Sequence, residues 1–146
     1  MVTTNSALSL EAFGNDPPEL VHLTGSFQVL ARVTVADPED RPARVELCFD
    51  AARVRGVGLK RGVRYEARGA QRFSDDALEL PVSLQRVSAF ELLRHGAGDG
   101  WPGRLLLVVL FRVTVRSDGT VTLGMEAPTL LPYPAGQAVP LLAQQR

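Results

Sequence analysis

Few side chains in the sequence could do catalytic chemistry, and their surroundings do not assemble a catalytic or metal-binding set. The chain has two histidines and one cysteine. Neither His22 nor His95 has a cysteine or a group of carboxylates nearby at the spacing that metal ligands need. Cys48 alternates onto the same face as Glu46 and Asp50, whose negative charge disfavours the thiolate that a nucleophile requires. We therefore predict no catalytic residue, no metal site and no cofactor.

Short enzyme motifs are also missing from the sequence. It contains no G-x-S-x-G, no P-loop and no H-E-x-x-H. Asp75 and Asp76 precede a predicted strand, where acids that form turns are expected, so their adjacency does not make them a catalytic pair. The single cysteine excludes an intrachain disulfide and a thiolate metal cluster. An enzyme is the less favoured class.

One segment, residues 53–72, is strongly basic in a chain that is neutral overall. The chain has 16 basic and 16 acidic residues. Seven of the basic residues lie in the segment beside Glu66 alone, a local charge of +6, so the remainder carries 9 basic and 15 acidic residues, or −6. The seven residues are Arg53, Arg55, Lys60, Arg61, Arg64, Arg68 and Arg72.

This basic segment has two interpretations. It is either a stripe that binds phosphates or an acidic surface, or an exposed face paired with the acidic segment 37–50, within the molecule or across a subunit boundary. A nucleic acid is not favoured, because the chain is neutral and Tyr65, the aromatic residue of the segment, alternates onto the predicted core face. The candidate anion or partner patch is Arg53, Arg55, Lys60, Arg61, Arg64 and Arg68.

Two nearly identical stretches predict the strands that position these residues. VLARVTV occupies 29–35 and VLFRVTV occupies 109–115. Apolar residues alternate over 21–35 and again over 105–115, the period of a strand with one face in the core. Each stretch is followed by a turn, DPEDRP or SDG, and a second short strand. The repeat unit is therefore a hairpin, and for the second hairpin Asp118-Gly119 indicates a two-residue turn. Chance recurrence of a good strand sequence stays open as the alternative.

The second stretch is apolar on both faces, which favours burial on both sides or an interface. Leu106, Val108 and Leu110 form its second face and are candidate contact residues. Trp101, in a glycine-rich loop, and Tyr133, in a proline-containing tail, are further candidates for an interface. The alternative for Trp101 is that it folds back over the end of the domain.

Local patterns predict several further features. Gly25 is the expected bend in the long first strand, because a straight strand of that length does not fit a small domain. A phase slip near Gln85 and Arg86 predicts a β-bulge, and Pro81 indicates an edge strand or a bulge. The segment 86–94 is the best candidate for a short helix.

The predicted fold is all-β: a single-domain antiparallel β-sandwich or small β-barrel of about eight strands with pseudo-repeated hairpins. Residues 1–20 are predicted to be an N-terminal arm, 21–126 the β domain, and 127–146 a proline-containing C-terminal arm. The N-terminus lacks the charged start and apolar run of a signal peptide, and the longest apolar run has seven residues, LLLVVLF. These features favour a cytoplasmic protein that does not insert in membranes, and they leave secretion open.

The combination of LTGSFQVLARVTV, GVGLKRGVRYEARG and LLLVVLFRVTVRSDGTVTL resembles a loose group of small, functionally unassigned bacterial β proteins. That group is built around repeated F-x-V-T-V hairpins with a central G-V-G-x-x-x-G-x-x-Y. The resemblance covers about residues 21–126 and implies a β fold, without an activity to carry over. Members of the group generally look secreted, whereas this chain lacks a leader and has a longer DPEDRP turn.

The favoured function is a non-catalytic β domain that acts through protein–protein interaction, as a subunit of a homo-oligomer or a larger assembly. The partner is expected to be a second copy or another protein. The alternative is a β-barrel that binds a small apolar ligand in its interior. Phe27, Phe49 and Phe111 decide between them, since three large side chains that meet in the middle leave no room for a ligand.

Overall fold

The computed structural model describes residues 1–17, 19–35, 42–95 and 104–132, which form one antiparallel sheet. Every regular element in these ranges is a strand, and the sheet is not closed into a barrel. The predicted all-β, single-domain fold is therefore confirmed. Of the two architectures left open, the closed barrel is wrong.

Nine strands make up the sheet in the described residues. They are β1 (Val2–Asp16), β2 (Glu19–Thr34), β3 (Ala43–Gly58), β4 (Arg64–Arg68), β5 (Ala70–Leu78), β6 (Val82–His95), β7 (Arg104–Val115), β8 (Val121–Met125) and β9 (Thr129–Pro132). The order across the sheet is β1-β2-β3-β4-β6-β7-β8, with β5 beside β3 and β9 beside β7. The long strand β3 thus pairs with β5 over its first half and with β4 near its end.

The sheet folds over so that β2 and β3 pack on β6 and β7. Phe49 stacks on Phe111 with ring centroids 4.0 Å apart, and Phe27 meets Phe111 edge-on at 5.2 Å. Phe90 joins the cluster at 5.4 Å from Phe27. All four rings are fully buried, so they fill this part of the interior, and the geometry gives no support to an apolar ligand there.

The alternation predicted for the repeated stretches is confirmed. In β2 the inward positions are buried from Val21 to Val33, with Gly25 as the exception, and in β7 they are buried from Leu105 to Val115. β2 and β7 each begin a hairpin, with β3 and β8 as the return strands. Because both strands supply the same inward face to one core, the near-duplicate residues have a structural role.

The first 20 residues do not form an arm. β1 pairs with β2 along its whole length, from Val2 opposite Val33 to Asp16 opposite Glu19. Pro17 directly follows β1 at the hairpin end, and the inward face of β1 includes Thr4 and Ser6, so its alternation is weak. The residues after 126 are also part of the sheet where they are described: β9 pairs with β7, and Leu130 is buried against Gly14 of β1.

The bulge near Gln85 and the helix over 86–94 are both wrong. Strand β6 pairs with β7 without a register shift from Val82 to Leu93. The apparent slip arises because Arg86 and Ser88 occupy inward positions. Arg86 forms an ion pair with Asp75, whose carboxylate lies 2.5 Å from the guanidinium.

Two turn predictions and the predicted edge strand or bulge at Pro81 also need correction. Asp75 and Asp76 lie within β5, and Pro81 lies in the connection between β5 and β6. The β7–β8 loop has three residues, because the Arg116 N–H bonds the Thr120 carbonyl while the Gly119 N–H bonds the Arg116 carbonyl. Gly119 takes a positive φ of 87°, the geometry of a type I turn followed by a bulge. The DPEDRP turn falls largely outside the described residues.

Gly25 has the conformational role that the sequence predicts for it. Its φ is +115°, and the β2–β3 register shifts between Ser26 and Gln28. A Cβ at this position would lie 2.0 Å from the backbone carbonyl oxygen of Arg53. Since that atom belongs to the neighbouring strand, it cannot move away without breaking the ladder.

We predict that Gly25→Ala lowers the free energy of unfolding by about 3 kcal/mol or more, because it adds a backbone clash to an unfavourable φ. Gly69→Ala is the matched control. Gly69 has a φ of +105°, but a Cβ added there would meet nothing within 4 Å, so only the strain of about 1–2 kcal/mol is expected. Urea unfolding of the two variants measures the difference, and equal losses would contradict the steric role of Gly25.

Candidate interaction surface

Four large apolar side chains are exposed together on the outer face of the sheet, the face turned away from the phenylalanine core. They are Phe13 at 57% exposure, Leu20 at 50%, Val57 at 47% and Leu59 at 59%. Phe13, His22 and Val57 are direct neighbours across β1, β2 and β3, while the Leu59 N–H bonds the Leu20 carbonyl at 2.9 Å. We call Phe13, Leu20, His22, Val57 and Leu59 the hairpin-end patch.

Aromatic stacking and charges of both signs surround the apolar centre of the patch. The rings of Phe13 and His22 stack with centroids 4.8 Å apart. Glu11, on the β1 side, lies 3.9 Å from His22. On the opposite side, Arg64 is the cross-strand neighbour of Val57, and Arg55 lies beside Thr24. The patch therefore has the Glu11 carboxylate on one side and, on the other, the Arg64 guanidinium and the Arg55 guanidinium, which is paired with Glu66.

All six residues of the predicted basic patch are exposed. Arg53 and Arg55 lie on β3, Arg64 and Arg68 lie on β4, and Lys60 and Arg61 lie in the connecting turn. In the described residues, ion pairs join Arg55 to Glu66 at 3.7 Å and Arg61 to Glu19 at 3.3 Å. Neither partner belongs to the acidic segment 37–50 that the sequence suggested, of which residues 37–41 lie outside the described residues.

A buried carboxylate holds the turn that carries Leu59 and Lys60. Glu19 is only 3% exposed, and its Oε2 accepts the backbone N–H groups of Lys60 at 3.1 Å and of Arg61 at 2.7 Å. The Arg61 guanidinium donates to Oε1 at 3.3 Å. Burial raises the pKa of Glu19, but these hydrogen bonds and the Arg61 charge more than offset it, so the pKa lies below the usual value.

A second buried carboxylate lies at the other end of the same hairpin connection. Asp16 is 3% exposed, its Oδ2 accepts the Tyr65 hydroxyl at 2.7 Å, and Arg94 donates to both carboxylate oxygens, at 3.1 and 2.9 Å. Burial raises the pKa of Asp16, and the bonds from Arg94 and Tyr65 lower it further than burial raises it. Burial and the Asp16 hydrogen bond raise the pKa of Tyr65 well above its usual range.

The backbone leaves room for these contacts at Gly58. A Cβ there would lie 2.3 Å from Glu19 Oε1, so the carboxylate occupies the space that a side chain would need. The turn is closed by the Gly58 N–H to the Val63 carbonyl at 2.7 Å and by Gly62, whose φ is +69°. The G-V-G-x-x-x-G stretch thus fits a turn that wraps a buried carboxylate.

Sequence reasoning missed Asp16, Glu19 and Arg94 and placed Tyr65 on the core face without a role. A usable signal was present, because Asp16 and Glu19 fall on the inward phase of their strands. A carboxylate at an inward position needs a hydrogen-bonded or charged partner. For Asp16 these partners are Tyr65 and Arg94, which are direct neighbours on β4 and β6.

The predicted interface residues are placed differently. Leu106 is 3% exposed and packs with Ala89, while Val108 and Leu110 are half-buried, so this second face of β7 is largely covered within the chain. Trp101 and Tyr133 lie outside the described residues. The exposed apolar surface of the described residues is instead richest at the hairpin-end patch.

The residues considered for chemistry lie apart from one another. His95 Nε2 lies 3.1 Å from Glu66 Oε2, His22 belongs to the patch, and Cys48 is half-buried on β3. Among the described residues, no three His, Cys, Asp or Glu side chains are grouped to hold a metal ion. The same residues include no helix that is long and apolar enough to cross a membrane.

Comparisons of the chain with protein-family models, with curated proteins and with solved structures find no match. The resemblance to small bacterial β proteins therefore stays a prediction, and the function has to be argued from the geometry of this chain.

We predict that the two buried carboxylates make the protein sensitive to acid. Both pKa values are lowered by folding, so the unfolded chain binds more protons as the pH falls. Their contribution to stability is complete above the usual values, 4.5 for Glu19 and 3.8 for Asp16, and is lost as the pH falls through the folded-state values. Free energies of unfolding, measured in urea at a series of pH values, give the slope of stability against pH.

Glu19→Gln and Asp16→Asn should each be less stable than the parent at neutral pH, by about 3 kcal/mol for a broken buried pair. Each should also show a flatter loss of stability in acid. Glu11→Gln, a change at an exposed carboxylate, is the control. Parent-like acid slopes in both buried-site variants would contradict the role of these carboxylates.

Proposed function

We propose that this protein is a non-catalytic β domain that acts through protein–protein interaction, and that it self-associates through the hairpin-end patch. The observation that carries the proposal is the grouping of Phe13, Leu20, Val57 and Leu59, each about half exposed, on one face. Single exposed apolar side chains are ordinary on protein surfaces, whereas a contiguous group with a polar rim is typical of an interaction site.

The charges around the patch support a second copy as the partner. In a twofold contact, a residue on one side of the interface meets a residue from the other side of the partner's patch. Glu11 lies on the β1 side and Arg55 and Arg64 lie on the β3–β4 side, with Thr24 between Glu11 and Arg55 in one cross-strand row. The carboxylate side of one copy would therefore face the guanidinium side of the other.

The rigidity of the patch also supports binding. Glu19 holds the turn at Lys60 and Arg61, and Asp16 ties the end of β1 to Tyr65 and Arg94. A surface fixed by buried bonds loses little conformational entropy on association. The contacts proposed here differ from those expected on 105–111, where Leu106 is already buried within the chain.

We predict a concentration-dependent dimer in sedimentation velocity between about 1 and about 200 µM protein. The double variant Phe13→Ser, Leu59→Ser should weaken association at least about tenfold, because it removes the two most exposed side chains of the patch from the interface. Leu131→Ser, on β9, is the matched control. Its side chain is 45% exposed, so the change replaces one exposed apolar side chain outside the patch by the same polar residue.

Circular dichroism and urea unfolding of each variant confirm that the domain is still folded. Parent-like association of the double variant, or equal weakening by Leu131→Ser, would contradict the assignment of the surface. A strict monomer over the whole concentration range would contradict self-association. An Arg64→Glu variant tests the charge arrangement and should weaken the dimer.

A further inference from the structure

The outer face also contains a groove, which lies over β2, β3 and β5 and away from the hairpin-end patch. Its volume is about 760 Å³, within the range of small-molecule sites. Leu30, Cys48 and Arg72 are neighbours in one cross-strand row, and Arg32, Glu46 and Ser74 are neighbours in the next. The groove is shaped by long arginine side chains at its rim and shorter side chains between them.

The three arginines of the groove differ in how they are held. Arg44 is fixed by Glu46 at 3.1 Å, Asp76 at 3.4 Å and the Ser74 hydroxyl at 3.4 Å. Arg32 and Arg72 are exposed and make no ion pair or side-chain hydrogen bond with the described part of the chain. Since β2 and β5 lie on opposite sides of β3, their backbones are about 10 Å apart. Two guanidinium groups that have no partner among the described residues thus flank the groove.

The floor between these guanidinium groups has an apolar part formed by Leu30 and Cys48, and beside Arg32 it is bordered by the Glu46 carboxylate, which Arg44 holds at 3.1 Å. Leu30 and Cys48 are directly opposite each other on β2 and β3, and both are half-buried. A ligand that lay on them would cover apolar surface, while its charged group could reach the rim. Guanidinium groups bind carboxylate and phosphate through paired hydrogen bonds, which sets the charge of the expected ligand.

We propose that this groove is a binding site for a small organic anion. Its acidic group lies between Arg32 and Arg72, and its apolar body lies on Leu30 and Cys48. The site is independent of the hairpin-end patch, because the two surfaces share no residue. A dimer formed through the patch would leave the groove accessible.

Cys48 provides a reporter inside the groove, because it is the only cysteine of the chain. Its thiolate attacks one sulfur of an aryl disulfide, forms a mixed disulfide and releases one aryl thiolate. The dianionic reagent 5,5′-dithiobis(2-nitrobenzoate) resembles the proposed ligand class, whereas 4,4′-dithiodipyridine is neutral. The ratio of the two rates cancels any change in the intrinsic reactivity of the thiol.

We predict that the double variant Arg32→Gln, Arg72→Gln lowers the ratio of the rate with the anionic reagent to the rate with the neutral reagent at least about tenfold. The control Arg53→Gln, Arg68→Gln removes the same charge from exposed arginines outside the groove and should change the ratio by about twofold at most. An unchanged ratio in the groove variant, or an equal drop in the control, would overturn the proposal.

Binding at equilibrium is tested by protection of Cys48 from the neutral reagent. Phenyl phosphate should slow the reaction saturably in the parent and not in the groove variant. Inorganic phosphate and benzyl alcohol carry the acidic group and the apolar body separately, and each should protect less. Absence of protection by phenyl phosphate at about millimolar concentration, or equal protection by either half alone, would contradict a site that uses both features.

Discussion

The structure depends on two carboxylates, Asp16 and Glu19, that are buried where β1 turns into β2. Burying a carboxylate is costly unless hydrogen bonds and opposite charge compensate. Here the compensation comes from distant parts of the chain: Tyr65 on β4, Arg94 on β6, and the turn at Lys60 and Arg61. One short connection therefore joins the edge strand β1 to β3, β4 and β6. This arrangement requires Gly58, because a side chain there would occupy the space of the Glu19 carboxylate.

The same constraint links the core to the outer face. The two buried carboxylates belong to inward residues of β1 and β2. The outward residues next to them, Phe13, Leu20 and His22, form one half of the hairpin-end patch. Val57 and Leu59 complete it from β3 and the turn that Glu19 holds. Because the side chains of a strand alternate between faces, fixing the inward set also fixes the outward one. The patch can thus keep apolar side chains in solvent without a local collapse of the turn.

Much of this fold could be predicted from the sequence, and the failures have physical causes. The alternation of apolar residues in β2 and β7 is strong because both strands face the phenylalanine core, so their position and buried face were predictable. β1 was missed because Thr4, Ser6 and Asp16 occupy inward positions, which weakens the period, and because a proline pair suggested an arm. In β6, the polar residues Arg86 and Ser88 occupy inward positions, so the apolar pattern shifted in phase and suggested a bulge. The basic segment was visible from the local sequence alone. The patch was not, since Phe13 and Leu59 are 46 residues apart in sequence and are brought to the same face only by the β1–β2–β3 pairing.

Amide hydrogen exchange at Lys60 and Arg61 tests the central constraint most directly. Both N–H groups lie in an exposed turn and donate to the Glu19 carboxylate. If that carboxylate holds the turn, both amides exchange slowly in the parent protein, as the ladder amides of β3 do, and much faster in Glu19→Gln. Fast exchange of these two amides in the parent, at the rate of an unstructured turn, would contradict the role of the Glu19 carboxylate in holding the turn.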